Sequence, residues 1–89
     1  MKYKYQISND LSEKVSKMEE FANGGAQVTI VTKGGGVYHQ ILISNSKYIV
    51  AMRGYDDLPF DVGDIESIYQ SEEDQNPNER GGWRFWDEW

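Results

Sequence analysis

Two compact turn sequences set inside a run of alternating side chains constrain this chain more than any other feature. β-Branched residues crowd Gln27 to Thr32, Lys33-Gly34-Gly35-Gly36 interrupts them, and Val37 to Ser44 resumes the run. In that second run Val37, His39, Ile41 and Ile43 share one face, with Tyr38, Gln40, Leu42 and Ser44 on the other. Asn45-Ser46 then turns the chain, and Lys47 to Arg53 returns with Tyr48, Val50 and Met52 opposed to Ile49, Ala51 and Arg53. A period of two, broken by residues that tolerate left-handed backbone, specifies hairpins in series, hence a small, strongly curved antiparallel sheet. Both faces of the second and third runs carry apolar residues. One face must pack inside, and the other must be partly covered, most simply by a helix.

Residues 54–70 close the meander. Gly54 to Asp57 is turn-like, and Leu58-Pro59-Phe60 makes a short extended piece in which Pro59 is tolerated only at an edge or a strand start. Asp61-Val62-Gly63-Asp64 reads as one tight helical turn, and Ile65, Ser67 and Tyr69 alternate with Glu66, Ile68 and Gln70 in a final strand.

Ahead of the meander, Leu11, Val15, Met18 and Phe21, with Ala22, form a stripe at helical spacing, while Ser12, Lys14, Ser16, Lys17, Glu19 and Glu20 take the wet side. Asp10 and Glu13 have capping-box spacing, and Asn23-Gly24-Gly25 ends the helix. A lid over residues 10–22 is therefore expected. Before it, Met1 to Ile7 alternates Tyr3, Tyr5 and Ile7 with polar residues, as a short edge strand or an arm lying on the domain. The expected fold is α+β and mainly β. An N-terminal helix is followed by a strongly bent five-stranded antiparallel small barrel over residues 1–70, with a separate tail over 71–89.

That order resembles the Sm-like and SH3-like small barrels, in which a helix caps a bent five-stranded sheet and a short turn precedes the last strand. The segment Leu58-Pro59-Phe60-Asp61-Val62-Gly63-Asp64-Ile65-Glu66-Ser67-Ile68 is also similar to the closing segment of YolD-like bacterial and phage proteins. The resemblance implies a fold more than an activity. Sm proteins that bind uridine-rich RNA carry an aspartate, an aromatic and an asparagine in the loop after a glycine-bent second strand. Here the second strand has no glycine and only Asn45 matches, so RNA recognition is not carried over. Ring or other homo-oligomeric assembly through edge strands stays open.

Composition narrows the functional classes. The chain has no cysteine, which removes disulfides, thiolate metal sites and thiol nucleophiles and suits a reducing, cytoplasmic setting. No apolar run approaches the length of a membrane span. Nine basic residues against fifteen acidic ones give a charge of −6, the wrong balance for gripping a phosphate backbone. The glycine run enters a strand, not a helix with a P-loop lysine, so it is no phosphate cradle.

Catalytic and metal chemistry find no constellation either. His39, the sole imidazole, sits mid-strand, beside neither an acid nor a nucleophile in the sequence, and no serine lies in a nucleophile elbow. The densest carboxylates, Asp56, Asp57, Asp61 and Asp64, lack the spacing of an EF-hand loop and read as turn residues or an acidic patch. Neither an enzyme activity nor a cofactor nor a metal is expected.

The tail is the unusual part. Ser71 to Asn78 has the composition of a linker, and six acids against two arginines give residues 71–89 a charge of −4. All three tryptophans lie in the last seven residues, with Phe85 among them. Rings this large must be covered. Either the tail folds back, with Trp83 and Phe85 as a strand face or Trp83, Trp86 and Trp89 as a helical stripe, or Trp83, Phe85, Trp86 and Trp89 form an acidic aromatic docking peptide for a protein partner. Arg80-Gly81-Gly82 is a single RGG copy in an acidic context and supports no RNA binding. The leading expectation is a non-enzymatic interaction module that binds a protein through the tail or a barrel edge. The alternative is an acidic mimic of nucleic acid that occupies a basic groove on another protein.

Overall fold

The computed structural model describes residues 4–20, 25–78 and 82–86. Its elements are β1 (Tyr5–Gln6), α1 (Asn9–Val15), β2 (Gly25–Thr32), β3 (Val37–Ser44), β4 (Tyr48–Met52), a 3₁₀ turn (Val62–Asp64), β5 (Ile65–Tyr69) and α2 (Glu72–Gln75). All strand pairs are antiparallel, in the order β1-β4-β3-β2-β5. The spans of the three runs, both turns and the 3₁₀ turn stand where the residue pattern puts them, but the faces do not. Bulges bring Tyr38, not His39, to the core side with Ile41 and Ile43, and put Met52 with Ile49 and Val50 with Ala51. Asn45 and Ser46 both adopt positive φ, at 54° and 62°, and Lys47 N–H closes the turn on the Ser44 carbonyl at 3.1 Å. This is the twist-matched hairpin geometry.

The sheet curls into an open half-barrel instead of closing, because its two edge strands, β1 and β5, do not pair with each other. The curl comes from bulges. Register shifts fall between Val28 and Ile30 against β3, between Val31 and Thr32 against β5, and between Leu42 and Ile43 against β4. Each extra residue bends its strand and sharpens the twist. At the first bulge, His39 and Gln40 together oppose Thr29, with Gln40 at φ 55°. A glycine in the second strand is therefore not needed for the bend.

Two expectations are corrected. The edge-strand alternative for the first residues holds at Tyr5–Gln6, which pairs with Ile49 and Tyr48 as the fifth strand, whereas the extended piece Leu58-Pro59-Phe60 is not a strand. Pro59 has no N–H to give a ladder, and Leu58 and Phe60 instead pack on the core from the side. The helix is accordingly not N-terminal, since a strand precedes it. It is also shorter than residues 10–22 and is capped by Ser8, whose hydroxyl accepts from Leu11 N–H at 3.4 Å, not by Asp10 and Glu13.

Its early end has a local and a distant cause. The Ser16 hydroxyl donates to the Glu13 carbonyl at 2.6 Å, and Lys17 and Met18 N–H groups bond three residues back in tightened turns. Then Gln70, on the far side of the sequence, takes both backbone groups of Glu19. Its Oε1 accepts from Glu19 N–H at 2.9 Å and its Nε2 donates to Glu19 O at 2.8 Å. Phe21 to Gly24, and with them the expected glycine stop, lie outside the described residues.

The main core sits inside the curl. Val28, Ile30, Ile41, Ile43, Ile49 and Ile68 are fully buried, and Val15 of α1 joins them with Leu11 and Met18 packed alongside. The opposite face is covered by the tail, not by α1. Leu42, Val50 and Ala51 form a second buried cluster with Trp83 against it, and α2 lies over β2.

Candidate functional site: the junction of the tail with the end of β4

Residues 82–86 run over the end of β4 in neither helix nor strand. Their seat is prepared by the bulge at Val50, which opposes no β3 residue and keeps its carbonyl for the tail: Trp86 N–H donates to it at 3.0 Å. The Trp86 indole Nε1–H donates to the Tyr55 carbonyl at 3.1 Å. That carbonyl is presented by the turn at Gly54 (φ 84°), which Tyr55 N–H closes on Met52 O at 3.2 Å. Tyr5 of β1 meets the Trp86 ring edge to face at 5.9 Å between centroids. Trp86 is 8% exposed and belongs to the main core, an environment that satisfies both its ring and its N–H.

Trp83 is half-buried on the second cluster, and the guanidinium carbon of Arg53 lies 4.0 Å from its ring centroid. That geometry places a cation over an aromatic face. Next in the chain, Arg84 Nη1 donates to Asp56 Oδ1 at 2.7 Å. Phe85 is left 42% exposed, and so is Tyr55 at 43%. Between turn and tail lies a cleft of about 370 Å³ whose walls include Met52, Arg53, Tyr55, Asp56, Trp83 and Arg84. Trp83, Phe85 and Trp86 thus divide into a half-buried, an exposed and a buried ring. Trp89 lies outside the described residues.

The acidic residues are not equivalent. Asp56 is paired with Arg84, while Asp57 accepts from the Tyr5 hydroxyl at 2.5 Å and from Leu58 N–H at 2.8 Å. The Tyr5 hydrogen bond, and after it the Leu58 amide, hold the Asp57 carboxyl below the usual carboxylate range. Asp61, just before the 3₁₀ turn, and Asp64, its last residue, are exposed. Among the described residues no three histidine or carboxylate side chains gather as a metal site.

A second polar constellation lies on the tail-covered face. Ser71 and Asp74 form a capping box, a Ser-x-x-Asp spacing inside the stretch whose composition reads as a linker. Asp74 is 2% exposed, and its carboxylate accepts from Gln27 Nε2 at 2.9 Å, Thr29 Oγ1 at 2.7 Å and Ser71 N–H at 3.0 Å. Thr29 Oγ1 is also 3.2 Å from His39 Nδ1. Thr29 has one hydroxyl proton and gives it to Asp74, which leaves its oxygen to accept from His39 Nδ1 in the tautomer that carries a proton there. A hydroxyl 10 residues away in the chain therefore reaches His39, and an acid 35 residues away lies one hydrogen bond further on. Thr29 is fully buried and its proton is committed, so this arrangement fastens α2 to the sheet and offers no accessible nucleophile.

No helix among the described residues is long and apolar enough to cross a membrane. No family model matches the chain, and neither a curated protein nor a solved structure matches it.

Proposed function

We propose that the protein is a non-enzymatic, cytoplasmic interaction module that binds a protein partner at the junction of the tail with the end of β4. The observation that carries this reading is the division of labour among the tail rings. Trp86 anchors the segment in the core, whereas Phe85 and Tyr55, on either side of the Trp86–Tyr55 hydrogen bond, remain 42% and 43% exposed. Trp83, Arg53 and Arg84 border the same surface. Aromatic and arginine side chains carry much of the energy at protein interfaces, and a segment already docked on its own sheet loses little conformational freedom on binding.

Photo-crosslinking tests it. With benzoylphenylalanine at Phe85 or Tyr55 of the full chain in its native cells, a discrete protein adduct is expected. An adduct that forms only from Tyr69, exposed on the edge strand β5, would move the binding surface to the barrel edge. No adduct from any of the three positions would overturn the reading.

The nucleic-acid mimic is supported less well, because Arg84 neutralises Asp56 and Tyr5 engages Asp57. It predicts that Asp61→Asn and Asp64→Asn weaken partner binding more than Phe85→Ala does. As to lineage, the curled sheet is compatible with Sm-like and SH3-like barrels, and the likeness of residues 58–68 to YolD-like proteins remains part of this proposal. RNA binding as in Sm proteins is its least supported branch.

A further inference from the structure

We infer that α2 is the centre of a latch: residues 71–78 undock from β2 while the rest of the molecule stays packed, and the movement uncovers Gln27 and Thr29 on the tail-covered face of the sheet. The device is independent of where a protein partner binds.

The hold of this segment on the sheet is mostly polar. Between Ser71 and Asn78 only Asp74 and Pro77 are buried, and no residue of the segment belongs to either apolar cluster. Asp74 reaches Gln27 Nε2 at 2.9 Å and Thr29 Oγ1 at 2.7 Å. Hydrogen bonds exchanged for bonds to water change the free energy little, whereas apolar surface returned to water costs in proportion to its area. Undocking breaks bonds that water replaces and exposes one proline ring.

The docked state also contains a strained account of polar groups. Gln27 is fully buried, yet its Oε1 has no hydrogen-bond partner. Turning the amide over would set Oε1 against the Asp74 carboxylate, so a flip gives no relief. Opening hydrates this acceptor, which favours the undocked state.

Both flanks are pinned by other means. Gln70, just before the segment, holds both backbone groups of Glu19 and the Gln27 carbonyl. Beyond it, Trp83 lies on the second cluster and Trp86 in the main core. What lies between contains a single helical turn, too short to persist once it leaves the sheet. Such a piece opens as a loop with fixed ends, at the low end of the range of local stabilities. Thr29 is the group whose surroundings change most. Docked, its hydroxyl is shared between Asp74 and His39; undocked, it is left with His39, whose ring is already exposed. The latch decides whether this hydroxyl–imidazole pair is sealed or open to solvent.

Native-state hydrogen exchange on the full chain tests the latch. The reporters are the Gln27 side-chain amide and the Ser71 N–H, both bonded to Asp74, with the β3 amides as the core reference. Gln27 stands in β2, so its exchange reports undocking and not mere fraying of α2. Both reporters are expected to be at least about tenfold less protected than β3. Their rates should stay flat in low urea while β3 rates climb, because the opening exposes little surface. Thr29→Val should speed both reporters about fivefold. Ile43→Val, a change in the core, should speed β3 about fivefold and leave the reporters unchanged. Reporters that match β3 in protection and urea slope, that follow Ile43→Val, or that ignore Thr29→Val would each overturn the latch and make α2 a fixed part of the global fold.

Discussion

At the scale of single residues, Asp74 is the buried carboxylate that ties α2 to the sheet. It accepts from Gln27, Thr29 and the Ser71 amide, and its own side chain lies out of water at 2% exposure. Asp74→Ala would strand two buried donors and remove the reciprocal half of the α2 capping box. We expect a loss of about 3 kcal/mol, read from the urea midpoint, against about 1 kcal/mol for Thr29→Val, which leaves the carboxylate its other partners. Similar losses for the two variants would show that the carboxylate matters only through Thr29. Asp57 makes a different prediction, in pH. Its folded-state carboxyl is depressed, chiefly by the Tyr5 hydroxyl, so its contribution is complete above the ordinary carboxylate range and disappears as pH falls through the depressed value. Tyr5→Phe should lower the melting temperature at neutral pH, and the gap from wild type should narrow over the interval in which pH falls from the ordinary carboxylate range through the depressed value. A gap constant across that interval would assign the effect to the ring, which also packs on Trp86.

At the scale of elements, the meander is local physics and α1 is not. Glycine and asparagine turns and alternating strands arise from interactions within a few residues, and the hairpins form where those patterns lie. The apolar stripe of α1 was equally legible, since Leu11, Val15 and Met18 do pack on the core. Its length was hidden, because the Gln70 amide that takes both Glu19 backbone groups is 51 residues away. Gln70→Ala removes those two bonds and the one its Nε2 donates to Gln27 O at 3.0 Å. It should lower stability by about 1–2 kcal/mol and speed hydrogen exchange at the Glu19 amide, whereas unchanged exchange would show that the chain holds this path without the clamp. α2 carries the opposite lesson. Its capping box was present in the sequence as Ser71 and Asp74, yet acidic, proline-bearing composition over 71–78 reads as a linker. At α2 capping spacing was the better guide, whereas at α1 the Asp10 and Glu13 spacing missed the Ser8 cap.

For the molecule as a whole, the tail is part of the packing. Trp86 joins the main core, Trp83 covers the second cluster, and Asp74 bonds β2 from α2. Deleting residues 71–89 would uncover Leu42, Val50 and Ala51 and take a tryptophan from a core that 89 residues keep small. Removing a buried tryptophan alone costs about 3–5 kcal/mol, a large part of the margin of a domain this size. The 1–70 fragment should therefore lose its dispersed amide spectrum, and retention of that spectrum would make the tail an appendage. Phe85→Ala, by contrast, should leave stability within about 0.5 kcal/mol, because the ring is substantially exposed, which makes it the clean probe of binding.

Alternation, turn chemistry and helical spacing act between neighbours in the chain, so the residue pattern by itself determined the antiparallel meander, its turns, the 3₁₀ link and the apolar face of α1. Which segment supplies the fifth strand, where α1 stops, why the half-barrel stays open and which tryptophan is buried were decided only in three dimensions. Each depends on partners tens of residues apart, as in Tyr5 with Ile49, Gln70 with Glu19 and Trp86 with Val50. Such contacts form only after distant segments have packed, and no local pattern marks which of several apolar or aromatic candidates will reach the vacant backbone group first.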